Sequence, residues 1–262
     1  MRLHRPNVLA IALALALGAL ISASHASASD RATVTFANCT EFVGLAPVSL
    51  TEARRLVPAQ YTLATDNVTA TLVVRVADCR RVRVGRAAGR AGTVAQVGIL
   101  ITSPDGTATD PNTSINNYTL TYASNSRDLV ELLREARIPA VLDADLAYEF
   151  APTTGPSELY AAVTPGPAPS PTWFIDGTVT TPGFTTRFLA NWWSASRGRD
   201  AKMSTDIPDI SFDFTSAVAF HTASGNVLGR LIGGTKIERF PISFRGAFPV
   251  GTMSVTVQPA DG

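Results

Sequence analysis

The stretch from Val68 to Ser103 does most to constrain what this chain can fold into. Val68, Ala70, Leu72, Val74 and Val76 share one parity, and Thr69, Thr71, Val73, Arg75, Ala77 and Cys79 the other. A period of two with β-branched enrichment predicts a strand with one well-buried face. Val82 and Val84 resume the apolar parity beyond Asp78 and Arg80, which predicts a continuing strand with a bend or bulge there. Gly85, Gly89 and Gly92 punctuate a turn, since glycine tolerates positive φ. The return arm, Thr93 to Thr102, sets Ala95, Val97, Ile99 and Ile101 together. A long hairpin is not stable alone and needs a sheet or helix against its apolar face, so the rest of the chain is expected to wrap it.

Ala32 to Phe36 reads as a short strand leading to Cys39. Ser49-Leu50-Thr51-Glu52 is a capping box opening a helix that Pro58 stops, because the serine oxygen accepts from the amide three residues on. Tyr61 to Ala64 is a strand, Ser103-Pro104-Asp105-Gly106 a turn, and the polar run to Asn117 a loop. Tyr118, Leu120 and Tyr122 alternate with threonines, and Ser124-Asn125-Ser126 caps a second helix with Leu129, Leu132, Leu133 and Ala136 on one face. Later strands fall at Leu146–Phe150, Glu158–Val163, Trp173–Thr180, Arg187–Trp193, Ile210–Thr222 and Ser243–Val257. Asp206-Ile207-Pro208-Asp209 reads as a turn, and Leu231-Ile232 as a short apolar piece between glycines. Many strands with two helices predict an α+β, mainly antiparallel domain. The proline tract at 165–171 is read as a connection inside one β-rich domain, 29–262, rather than a boundary.

Residues 1–28 read as a cleavable secretory signal. Arg2, His4 and Arg5 precede an apolar run, and Ala26-Ser27-Ala28 gives the small-x-small cleavage pattern. The run is short for a membrane anchor, and no second apolar stretch long enough to span follows. The expected location is therefore extracytoplasmic or secreted, where Cys39 and Cys79 are most simply a disulfide. Basic residues number 22 and acidic 21, a near-neutral balance that argues against nucleic acid or anionic membrane as the main partner. Arg80, Arg81, Arg83, Arg86 and Arg90 form a local basic run with no acid among them. It reads as a solvated hairpin tip before an anion site. The composition leaves the oligomeric state undetermined.

Chemistry is sparse. There is no Gly-x-Ser-x-Gly elbow, and His221, the histidine that remains after leader removal, ends an apolar strand. His221 is weighed as a catalytic base against a hydrogen-bonded strand-end residue. A histidine zinc site is not expected, Asp105, Asp110 and Asn112 do not match a calcium loop, and no metal or cofactor is predicted. Lys202 follows Arg197, Arg199 and the Trp192-Trp193 pair. Neighbouring cations and a dry site are what free a lysine amine for Schiff-base chemistry, and a charged turn is the alternative.

The order of elements resembles the acetoacetate decarboxylase-like superfamily. The likeness begins at Leu50-Thr51-Glu52-Ala53-Arg54-Arg55-Leu56-Val57-Pro58, continues through the long strands, and recurs from Ser216 to Ile232 with its Leu-Gly-Arg-Leu. The resemblance implies a cone-like antiparallel barrel flanked by short helices around a mainly apolar pocket. The family's Gly-aromatic-Pro-Lys is best matched by Arg137-Ile138-Pro139-Ala140, which puts alanine where the Schiff-base lysine belongs. The expectation is a protein that holds a small apolar or keto-acid-like ligand without imine chemistry. Tyr118, Tyr122, Tyr148 and Trp192 are expected as pocket walls and Arg187 as a carboxylate anchor. The alternatives are an active decarboxylase or lyase using Lys202, and a surface interaction protein with no pocket.

Overall fold

The computed structural model describes residues 32–151, 155–165 and 172–259. The leader assigned to 1–28 and most of the proline tract lie outside the described residues. The chain opens with β1 (Ala32–Ser49) and α1 (Leu50–Leu56). The hairpin β2 (Thr69–Val84) and β3 (Arg90–Leu100) follows, then β4 (Ser114–Ser124), α2 (Arg127–Glu135) and β5 (Ala140–Leu142). Next come β6 (Ala147–Ala151), β7 (Ser157–Val163), β8 (Trp173–Val179), β9 (Phe184–Ser196) and β10 (Arg199–Asp213). The chain closes with β11 (Ala217–Thr222), α3 (Val227–Ile232), β12 (Lys236–Ile237) and β13 (Ile242–Pro259).

Seven strands close into a barrel in the order β3-β2-β1-β13-β10-β9-β4, with β4 pairing back onto β3. The pairing is antiparallel except for β4 beside β9, which is parallel. A second sheet, β12-β11-β8-β7-β6, packs against one flank. The strands on either side of the proline tract, β7 and β8, are neighbours in that sheet, with Val163 opposite Trp173.

The hairpin is buried on both faces, not one. Leu72, Val74 and Val76 join Ala95, Val97 and Ile99 under the second sheet, against Trp173, Ile175 and Phe220. Val73, Ala77 and Cys79 turn into the barrel with Val43, Trp192, Met203 and Phe248. Period two therefore separates two cores here rather than core from solvent, and Val68 at the strand entrance stays exposed. The register of β2 against β3 shifts between Cys79 and Val82, where the bend was expected.

Cys39 and Cys79 face each other in register and are disulfide-bonded. The 40-residue separation makes the bond worth roughly 3–4 kcal/mol in chain entropy. Ser49 caps α1 by accepting from the Glu52 amide, while the Glu52 carboxylate bonds Arg55 instead of reaching back. The apolar face of α2, Leu129, Val130 and Leu133, packs into the barrel core. With Leu132 and Ala136 beside Ala32, Val255 and Val257, it stoppers that end.

Further sequence expectations change, the first being the strand at Tyr61–Ala64, where Leu63 makes only an isolated bridge to Ile101. The first strand runs to Ser49, because residues 40–45 pair with both β2 and β13 and residues 46–49 with β2. Asp206 to Asp209 is not a turn but the middle of β10, with Pro208 at a register shift between Ile207 and Ile210. A proline lacks the amide for a ladder bond and fits such an irregularity. The Ile210–Thr222 span divides at 214–216 into β10 and β11, which belong to different sheets. Finally, Leu231-Ile232 belongs to helix α3, capped by the Asn226 side chain on the Gly229 amide and closed by Gly233 in the left-handed region.

Candidate ligand-binding site

The end of the barrel opposite α2 is open. There β9, β10 and β13 present Phe184, Phe188, Phe212, Ile242 and Phe244, and the segment just after β10 presents Phe214, to a cleft of about 950 Å³. Phe212 and Phe244 meet edge-on at 4.7 Å, and Phe184 stacks on Phe214 at 5.6 Å. Phe184, Phe214 and Ile242 are 48%, 55% and 58% exposed. Contiguous exposed apolar side chains in a concave site mark a binding surface, and the volume is that of a small-molecule pocket.

The loop between β3 and β4 forms the facing wall through Ser103, Ala108, Pro111 and Asn112. It is tied to the outside of the barrel. Lys202 Nζ donates to Asp105 Oδ2 at 2.7 Å and Thr107 Oγ1 at 2.8 Å, and lies 4.9 Å above the Trp193 ring. Asn116 Nδ2 donates to the Ala108 carbonyl at 2.7 Å, and its Oδ1 accepts from Asn191 and Trp193. Burial pushes the Asp105 carboxyl up, but hydrogen bonds from Lys202 and Thr107 outweigh it and hold the group down to about 2.

Next to the cleft lies a small cavity of about 20 Å³ lined by Glu41, Arg75, Asn117, Trp192 and Thr205. Ile115, Phe188 and Phe244 are common to both walls. Arg75 donates through Nε to Glu41 Oε2 at 2.8 Å and through Nη1 to Gln96 Oε1 at 2.7 Å. Its Nη2 also lies 2.7 Å from Glu41 Oε2. Both charged side chains are almost wholly buried. Two glycines make this packing possible. A Cβ on Gly246 would stand 2.9 Å from Glu41 Cγ, and one on Gly98 would stand 2.8 Å from the Trp192 ring. Beside the pair, β4 lines the interior with Asn117, Thr119 and Tyr122, all buried. The Asn117 Nδ2 and Oδ1, Thr119 Oγ1 and Tyr122 hydroxyl have no hydrogen-bond partner among the described residues. Burial pushes the Tyr122 phenol well above its ordinary value, so it stays a neutral hydroxyl.

The residues expected from the sequence disperse. Trp192 and Tyr122 lie inside the barrel. Tyr118 packs outside it, its ring 5.1 Å from Tyr61, and Tyr148 is half-buried against the same outer core. Arg187 is exposed on β9 and bound to Asp206 by two hydrogen bonds of 3.0 and 2.8 Å. His221 sits on the second sheet, stacked on Phe174 at 4.2 Å and bonded to Asp176 at 2.8 Å. The sequence holds two lysines, Lys202 and Lys236. Lys202 alternates with inward-facing Ala201 and Met203 and so projects outward to Asp105, while Lys236 pairs with Glu238. Ala140, on β5, is buried in the core at the α2 end. The five arginines of the hairpin tip remain exposed, and among the described residues none forms an ion pair.

Sequence reasoning missed Glu41, Gln96, Asn117 and Thr119 as interior groups and the phenylalanine cluster as a cleft. One usable signal was Arg75, a charge set between valines on a strand apolar on both parities. A buried charge needs a partner, and Glu41 was the acid within reach in the neighbouring strand.

A closed barrel with a second sheet on its flank and a helix across one end defines the acetoacetate decarboxylase-like fold. A solved acetoacetate decarboxylase matches 86% of this chain over 88% of its own, with a TM-score of 0.56 at 8% identity. An acetoacetate decarboxylase-like enzyme from Sphingomonas wittichii matches 88% of this chain over 94% of its own, with a TM-score of 0.51 at 11% identity. The acetoacetate decarboxylase of Legionella pneumophila matches 87% over 85%, with a TM-score of 0.50 at 8% identity. No protein-family model and no curated protein matches the chain. The fold is shared, and at these identities the shared property is the fold alone.

Proposed function

We propose that this is an extracytoplasmic protein of acetoacetate decarboxylase-like fold that binds a small apolar ligand in the open mouth of its barrel and forms no Schiff base. The observation that carries the reading is the aromatic cleft, where three strands converge phenylalanines on a space of about 950 Å³ while two of them stay half-exposed to water. Imine chemistry lacks an amine in the interior. Ala140 stands where the resemblance puts the nucleophile, and the Lys202 ammonium is bound to Asp105 on the outer face. The leader sequence and the disulfide support export.

The test uses the neutral fluorophore N-phenyl-1-naphthylamine. The protein is expected to bind it saturably, and Phe214→Asp to weaken binding roughly tenfold or more, because a charge in a dry aromatic wall is not compensated. Incubation with pyruvate and borohydride is expected to leave the mass unchanged. A reduced adduct on Lys202 would establish the lyase reading instead, and absence of any saturable binding would leave an interaction protein without a pocket.

A further inference from the structure

From the geometry of the barrel interior we propose that the ligand is an apolar molecule ending in one uncharged polar group, a hydroxyl or primary amide, seated against Asn117, and that a carboxylate is selected against. This rests on the ligand-binding reading above and goes further by assigning the head group. Four of the seven buried polar side-chain atoms without a partner among the described residues lie together on β4, at Asn117, Thr119 and Tyr122. Buried polar groups in folded proteins are nearly always bonded, and of these side chains Asn117 lines the small cavity, so its orphaned amide marks where a polar group of a ligand is received. Asn117 offers both a donor and an acceptor, its amide NH₂ and its carbonyl oxygen.

The interior charge decides the class of head. Arg75 is the cation a carboxylate would seek, but Glu41 and Gln96 already occupy its Nε, Nη1 and Nη2. Glu41 and Arg75 are the charged groups lining the cavity, so a carboxylate arriving there brings an uncompensated negative charge next to Glu41. Taking such a charge out of water without a free counter-ion is strongly unfavourable. A hydroxyl or amide costs much less and bonds to the orphaned atoms. Size agrees: about 20 Å³ admits the terminal polar atom of such a head, and the apolar remainder belongs among the phenylalanines on the other side of Ile115, Phe188 and Phe244.

Isothermal titration of the full-length mature protein with 1-octanol, octanamide and octanoate at neutral pH tests this. Octanol and octanamide are expected to bind at least tenfold more tightly than octanoate, and Asn117→Leu to lower octanamide affinity roughly three- to tenfold, the loss of one or two hydrogen bonds. The same variant should leave N-phenyl-1-naphthylamine binding within twofold, which separates loss of the head contact from misfolding. Octanoate binding as well as octanol, or an Asn117→Leu variant that binds octanamide normally, overturns the head-group assignment while leaving the apolar cleft standing. Failure of all three ligands and of the fluorophore overturns the ligand-binding reading itself.

Discussion

Arg75 and Glu41 show how much a single residue pair decides in this fold. Two opposite charges inside a barrel are tolerable because each satisfies the other at 2.7–2.8 Å and Gln96 takes a further guanidinium proton. Removing one partner leaves the other charged and dry. Glu41→Leu is therefore expected to lower unfolding stability by about 3–5 kcal/mol, whereas Glu41→Leu with Arg75→Met should recover most of that loss, since apolar replacements of a buried pair are often neutral. Urea unfolding of the wild type, the single variant and the double variant measures both. A single variant costing under about 1 kcal/mol would mean that water reaches the pair. Gly246 and Gly98 act at the same scale, supplying by absence of a side chain the room that Glu41 and Trp192 occupy.

Among the elements, the β3–β4 loop and β10 form a unit through Lys202. The loop makes one wall of the cleft, and its attachment is ionic as well as amide-mediated. Asp105 in the folded protein titrates at about 2 against an ordinary value of 3.8. A carboxyl with a depressed folded value contributes stability that is fully present above its unfolded value and is lost as pH falls toward the folded one. The pair is partly solvated, so its worth is about 0.5–1 kcal/mol after screening. Lys202→Met is expected to speed amide hydrogen exchange across residues 103–113 roughly two- to fivefold at neutral pH, with the difference from wild type shrinking as pH drops from about 4 to 2. Equal exchange at neutral pH, or a difference undiminished at pH 2, would show that Asn116 and Asn191 hold the loop without the ion pair.

Across the whole molecule, what the sequence disclosed and what it hid divide along contact range. The hairpin was legible because period two is a local property, and the α1 cap because its bond spans three residues. Pairing of the two cysteines followed from there being no other partner. The barrel was implied by the resemblance, but its closure was not legible in local pattern, since the parallel pairing of β4 with β9 joins strands between which β5 and three strands of the second sheet intervene. Nor was the mouth. Phe184, Phe188, Phe212 and Phe244 come from three strands and Phe214 from the segment after β10, and nothing in their spacing says that they converge. Helix α3 was hidden by its brevity and by Gly229 in its centre, a residue kept small by the Ala223 and Gly234 carbonyls around it. Tyr118 and Trp192 were chosen for aromatic character alone, and only the β3–β4 bulge and the Gly98 gap decide which of them turns inward.

Ligand binding inside the barrel mouth is tested most directly by two-dimensional NMR of the side-chain amides during titration with 1-octanol. The Asn117 side-chain NH₂ and the aromatic protons of Phe188 and Phe244 are predicted to shift together and saturate at one equivalent, while the Asn191 side chain on the outer face stays unmoved. Shifts confined to the outer face or the second sheet, with Asn117 unchanged at saturating octanol, would contradict it.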